Sequence, residues 1–137
     1  MGFTGLFNLG STCFMNSIIH TLVHAAGFRE YLLTQRHHCT ENNFQNCIGC
    51  EFSQMAYQLY FGSRFPVIPT RFYDLVWANI PHLAFYGEQD AHEFFTSILD
   101  VLHEHYRGNC SDETCDCIVH NLFYGVLQSE LTCQTCR

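Results

Sequence analysis

Residues 88–106, EQDAHEFFTSILDVLHEHY, carry Ala91, Phe94, Phe95, Ile98, Leu99 and Leu102 in a 3-4-3-4 rhythm without a miss. Such a stripe specifies an amphipathic helix whose apolar side must be buried against other elements. Gln89 and Asp90 stand at its start, where an acidic residue suits the positive end of the helix dipole, and Gly108 closes it. The rest of the chain must therefore supply matching apolar faces.

Three further segments do so. In TCFMNSIIHTLVHAA, residues 12–26, Phe14, Ile18, Leu22 and Ala25 share one helical face. Ser11 or Thr12 can cap its start and Gly27 can end it. Residues 50–61 read as a second helix with Phe52, Met55, Ala56, Leu59 and Tyr60 inward and Gly62 as stop. PTRFYDLVWANI begins a third after Pro69, with Thr70 as cap. Residues 118–132, IVHNLFYGVLQSELT, alternate in part and read as extended chain leading into a cysteine pair. One or two strands do not finish a sheet. Charged residues make up 14% of the chain, below the usual quarter of globular proteins. Both features imply that apolar surface packs against more of the same chain.

The length of 137 residues suits one domain or part of a larger one, with no internal repeat, low-complexity tract or linker. A net charge of −7 argues against direct nucleic-acid binding and is compatible with a basic protein partner. The N-terminus MGFTGLFNLG lacks the basic and long apolar regions of a secretory signal, and Leu6 breaks the myristoylation pattern begun by Gly2. No apolar run approaches the length of a membrane span. The sequon Asn109-Cys110-Ser111 is discounted without an export signal.

Nine cysteines in such a chain point to reduced thiols, metal ligands or a catalytic thiol rather than a disulfide framework. Cys39, Cys47 and Cys50, with His37 or His38, place four soft ligands within 14 residues. That is a Cys3His composition of the kind that holds structural zinc. Cys133 and Cys136 form one C-x-x-C, half of a tetrahedral site. Its other half would come from beyond Arg137 or from Cys115 and Cys117. Cys110, Cys115 and Cys117 otherwise make a thiol-rich loop with no assigned role.

Cys13 stands apart, alone at a helix start within NLGSTCFMN. Helix N-termini offer free N–H groups and the positive end of the dipole, which favour thiolate. The bland alternative is a buried, inert thiol. None of the nine histidines forms a zinc-protease pair, since HEFFT at 92–96 ends in Thr96. His20, His24, His92 and His103 fall within helices, and none is assigned as a base. For Gln89 and Asp90 a capping role suffices.

Taken together, GLFNLGSTCFMN resembles the cysteine box of the ubiquitin-specific proteases, GEQDAHEF resembles their second motif, and LFYGVLQSELTCQTC is similar to the segment entering their zinc-binding fingers. The RHHC…CIGCE insert and VIPTRFYDLVW resemble the subgroup serving the SAGA co-activator complex. The resemblance implies an α+β, papain-like fold, of which residues 1–137 supply the N-terminal part of the catalytic domain. That part is the mostly helical thumb plus the start of the fingers: cysteine box 5–20, zinc-knuckle insert 36–50, second box 87–95, fingers from 118 to 137.

It further implies that Cys13 is the nucleophile of a thiol-dependent deubiquitinase and that Asn8 stabilises the oxyanion. Gln89 and Asp90 would hold the ubiquitin tail, and Cys133 and Cys136 would begin the fingers zinc site. Structural Zn2+, ubiquitin, ubiquitinated histone and adaptor subunits of a SAGA-like complex are the implied cofactor and partners. The implied place is the nucleus, with the cytoplasm as a second compartment. Ser11 and Glu88 depart from the family's usual Asn and Gln, and the family's downstream Gly-His-Tyr box with the catalytic His is not found in this sequence. The alternative is a catalytically inactive, zinc-stabilised interaction module or truncated fragment.

Overall fold

The 88–106 stripe folds as a long helix, α5 (Ala91–Tyr106), with Asp90 as its N-cap. The Asp90 carboxylate accepts from the His92 N–H at 2.7 Å, satisfying one of the free donors of the first turn. Phe94, Ile98, Leu99 and Leu102 are buried, and His103 joins them. The computed structural model describes residues 4–34, 37, 39, 46–62, 64–84, 87, 89–107 and 115–133. Gly108, the expected stop, lies outside them.

Ahead of α5 in the chain come α1 (Cys13–His24), α2 (Ala26–Leu33), α3 (Ile48–Phe61) and α4 (Thr70–Asn79), with a 3-10 turn at Pro81–Leu83; α6 (Ile118–Phe123) follows it. α5 packs on α1, α3 and α6, while α2 packs on α1, α3 and α6, and α4 lies on α3. Edge-to-face pairs tie these helices: Phe14–Phe94 at 5.7 Å, Phe28–Phe123 at 5.8 Å and Phe95–Phe123 at 6.0 Å between ring centres. Each buried phenylalanine contributes about 2–3 kcal/mol of transfer free energy.

Four expectations change. Gly27 does not end the first helix. Ala25 takes extended backbone (ψ 117°), α1 stops at His24, and Gly27 lies inside α2. A Cβ on Gly27 would stand 3.1 Å from the Leu122 side chain, so its bareness serves the close approach of α6. The inward face of α1 is Phe14, Met15, Ile19, Leu22 and Val23 rather than Ile18 and Ala25, which are only partly buried. Thr70 is the first helical residue of α4, behind Pro69, and makes no side-chain cap.

Residues 118–132 are not one extended segment. Ile118–Phe123 is helical, and 124–133 forms no strand among the described residues. Cys117 starts α6 by accepting the His120 N–H on Sγ at 3.4 Å, and Val119 and Phe123 turn into the core. The described β structure is a single parallel bridge, Leu6 to Val67. Phe7 N–H donates to the Val67 carbonyl and Val67 N–H to the Gly5 carbonyl, each at 2.8 Å. The bridge anchors the chain just before the cysteine box.

Candidate functional site

Cys13 is the first residue of α1 and its thiol is exposed. The loop before it turns through two left-handed residues, Gly10 (φ 93°) and Ser11 (φ 53°). That path folds the loop onto Asn8, whose Oδ1 accepts from the Gly10 N–H at 3.0 Å, the Thr12 N–H at 3.3 Å and the Thr12 hydroxyl at 3.0 Å. Thr12 occupies the N-cap position but makes no side-chain cap to the helix, because its hydroxyl serves Asn8 and Leu9 instead. An exposed thiol at a helix start beside a carboxamide suits nucleophilic attack on a carbonyl with stabilisation of the resulting oxyanion.

The second box meets the first. Gly87 lines a cavity of about 150 Å³ with Leu9, Gly10, Ser11, Thr12, Phe14 and Trp77. The Phe14–Phe94 ring pair locks α1 to the first turns of α5. Asp90 caps α5 and is exposed, and Gln89 is half-buried beside it. Glu88 lies outside the described residues.

Near the C-terminal end of α5, beside Tyr106, His37, Cys39, Cys47 and Cys50 bring one ligand atom each to within 4.8 Å of one another. His37 Nε2 lies 3.2 Å from Cys47 Sγ. Burial pushes the Cys50 thiol up to about 12, with the neighbouring Cys39 and Cys47 thiols adding to it, and burial likewise raises Cys47. Three thiols gathered around an imidazole match the donor set of a structural zinc site, where a cation offsets the thiolate charge. His37 is the histidine of this set; His38 lies outside the described residues.

Residues 4–137 match the family model described as ubiquitin carboxyl-terminal hydrolase. The chain belongs to that family. It is 44% identical to ubiquitin carboxyl-terminal hydrolase 22-B of Xenopus laevis and 43% identical to ubiquitin carboxyl-terminal hydrolase 22 of Homo sapiens. Each match covers 100% of this chain and 27% of the relative, so the chain spans about a quarter of the length of these proteins. Among solved structures it is similar to the SAGA Ubp8/Sgf11/Sus1/Sgf73 DUB module bound to ubiquitin aldehyde, at a TM-score of 0.73 and 34% identity. That match covers 89% of this chain and 29% of the solved one. A second structure of the same SAGA DUB module matches at a TM-score of 0.69 and 29% identity. The fold is thus the ubiquitin-specific protease fold, of which the described residues form a mostly helical portion.

This member of the hydrolase family carries a second group that sequence reasoning missed. His103, Cys115 and His120 bring ligand atoms to within 4.8 Å of one another. His103 Nε2 lies 3.3 Å from Cys115 Sγ in the buried core. Cys117 is buried beside them; burial raises its thiol and the Cys115 thiol adds to the effect. The buried His120 Nδ1 has no hydrogen-bond partner among the described residues, an orphan that a bound cation would satisfy. The local signal was present as Cys115-x-Cys117-x-x-His120, but His103 comes from α5 and reads in sequence as an ordinary helix residue. Among the described residues Cys115 gathers with His103 and His120, with Cys117 next to it. Cys133 is exposed and joins neither group, while Cys136 and Cys110 lie outside the described residues.

Proposed function

We propose that this chain supplies the nucleophile half of a thiol-dependent deubiquitinase catalytic domain. The Asn8 carboxamide, held by its own loop five residues before the exposed Cys13 thiol, is the observation that carries this reading. The Cys13 thiolate attacks the carbonyl carbon that joins the C-terminal glycine of ubiquitin to a substrate lysine. A C–S bond forms, and the carbonyl oxygen takes the negative charge between the Asn8 NH2 and the Cys13 backbone N–H. Collapse breaks the C–N bond, and the amine leaves with a proton returned by a general acid. Water then cleaves the thioester by the reverse roles. The imidazole that takes and returns the proton is assigned to chain outside these 137 residues. Gln89 and Asp90 are assigned to the ubiquitin tail.

The two His/Cys groups are assigned to structural zinc, the first held by His37, Cys39, Cys47 and Cys50, the second by His103, Cys115, Cys117 and His120. Cys133 and Cys136 are assigned to half of a further zinc site in the fingers. Bound zinc would neutralise buried thiolates and fix the loops that carry them. Ubiquitin and adaptor subunits of a SAGA-like complex as partners draw on likeness to the solved SAGA module, whereas ubiquitinated histone as substrate and a nuclear location draw on the subgroup resemblance of the sequence.

Turnover of a ubiquitin–fluorophore conjugate by the full-length protein, abolished by Cys13→Ala, tests the reading. The 137-residue chain alone is expected to show negligible turnover, because a nucleophile without its base loses orders of magnitude in rate. The competing reading is an inactive, zinc-stabilised binding module. It draws on two ligand groups gathered among the described residues while no base is assigned. Ubiquitin binding by a full-length protein that shows no turnover would favour it.

A further inference from the structure

The orientation of the Asn8 carboxamide is over-determined. Backbone N–H groups can only donate, so the amide atom facing Gly10 N–H and Thr12 N–H must be the oxygen, and the NH2 must take the other branch. Thr12 is 4% exposed and its hydroxyl is engaged in both directions, giving its proton to Asn8 Oδ1 and accepting from Leu9 N–H at 3.1 Å. The residue before Asn8 is tied as well. The Phe7 carbonyl accepts from Asn16 Nδ2 at 3.4 Å, and Asn16 Oδ1 accepts the proton of the Tyr73 phenol. Tyr73 is fully buried on α4, and burial pushes its phenol up, the Thr12 hydroxyl acting in the opposite sense.

We propose that Thr12, Asn16 and Tyr73 are positioning residues for oxyanion stabilisation, fixing the Asn8 carboxamide with its NH2 toward the oxygen that becomes negative when Cys13 attacks. The proposal rests on the reading of Cys13 and Asn8 given above. None of the three touches the reacting atoms in this scheme. Their effect comes from removing choice: an unheld carboxamide can rest with its oxygen toward the neutral carbonyl and must turn before its NH2 can donate to the oxyanion. A donor fixed before reaction needs no reorganisation at the moment charge develops. Tyr73 extends the device to α4, so the oxyanion donor is referenced to the core rather than to the loop alone.

The experiment is steady-state turnover of a ubiquitin–fluorophore conjugate by the full-length protein. Thr12→Val is expected to lower kcat about 10-fold or more with KM little changed, and Thr12→Ser to restore it. Because Thr12 acts through Asn8, Thr12→Val added to Asn8→Ala should cost little beyond Asn8→Ala alone. Tyr73→Phe is expected to lower kcat by a smaller factor, again only when Asn8 is present, and it carries the test if Thr12→Val does not fold. Iodoacetamide should alkylate Cys13 at an unchanged rate in both variants. Unchanged kcat in both variants, losses that add fully to Asn8→Ala, or a loss confined to KM would overturn the proposal. If instead Cys13→Ala and Asn8→Ala leave turnover intact, the reading of Cys13 as nucleophile and Asn8 as oxyanion donor itself fails.

Discussion

The Tyr106 hydroxyl donates to the Gly49 carbonyl at 3.3 Å, and a Cβ on Gly49 would stand 2.7 Å from the Tyr106 ring. The C-terminal end of α5 therefore sits directly on the Cys47–Cys50 knuckle, with the Tyr106 ring also 5.1 Å from that of His37. Gly49→Ala should force these elements apart. Overpacking at a buried position costs about 1–3 kcal/mol, so a lowered melting temperature and faster loss of metal to a chelator are expected. Tyr106→Phe, which keeps the ring and removes only the hydroxyl, should cost about 1 kcal/mol and leave metal retention nearly intact.

The two ligand groups predict separable metal. His37→Ala and His103→Ala should each remove about one equivalent of zinc from purified protein, since a structural site needs its four ligands. Elemental analysis checks this. Loss of both equivalents from either variant, or none from His103→Ala, would break the assignment of two independent sites.

Stability should depend on pH in opposite senses with and without metal. In metal-free protein burial raises Cys47 and Cys50, the latter to about 12. A raised folded value means that the native state keeps protons the unfolded chain has released. This contribution is full below the ordinary unfolded thiol value, about 8.5, and is lost as pH rises toward about 12. Metal-bound protein holds thiolates instead, so protons compete with the ion and stability should fall on the acid side. Denaturant titrations across pH, with and without chelator, would show the trend reverse.

How much of this was legible in sequence depended on how local the signal was. The α5 stripe and the Cys39, Cys47, Cys50 and His37 set lie within short windows: the stripe folds as a helix as read, and the four side chains of the set gather with their ligand atoms close together. The α1–α2 break did not, because it falls at Ala25, with no proline and with the nearby glycine serving Leu122 instead. The six-residue α6 was too short for periodicity to separate helix from strand. His103 was invisible because its partners, Cys115 and His120, come from outside its own helix. The family kinship came from the boxes, yet the hold of Thr12 on Asn8 needed coordinates.

Phe94 joins the two boxes through its edge-to-face contact with Phe14, at 5.7 Å. It is fully buried on α5, one turn after Asp90, while Phe14 follows Cys13 directly. Phe94→Ala should destabilise the fold by about 3–5 kcal/mol, through lost burial and the cavity left behind. Phe94→Leu, which keeps most of the volume, should cost less than about 1.5 kcal/mol. Chemical denaturation of both variants checks the pair, and equal losses would mean that the site collapses freely around the missing ring.

Ser11 holds the left-handed conformation at φ 53°, two residues before Cys13, where the family usually has Asn. A non-glycine residue there costs roughly 1–2 kcal/mol, and Asn tolerates the region better than Ser because its side chain bonds locally. Ser11→Asn is therefore expected to raise the melting temperature slightly, and Ser11→Gly to relieve the strain while adding freedom to the unfolded chain. Ser11→Val should be the damaging change, since a β-branched side chain crowds the left-handed backbone. The Asn8 bonds to Gly10 and Thr12 span this residue, so the strain falls on the loop that aims the carboxamide. Thermal melts of the three variants should thus rank Val lowest, and full-length turnover should fall with Val through kcat. A Val variant as stable and as active as the natural protein would mean that the turn at Ser11 does not constrain the loop.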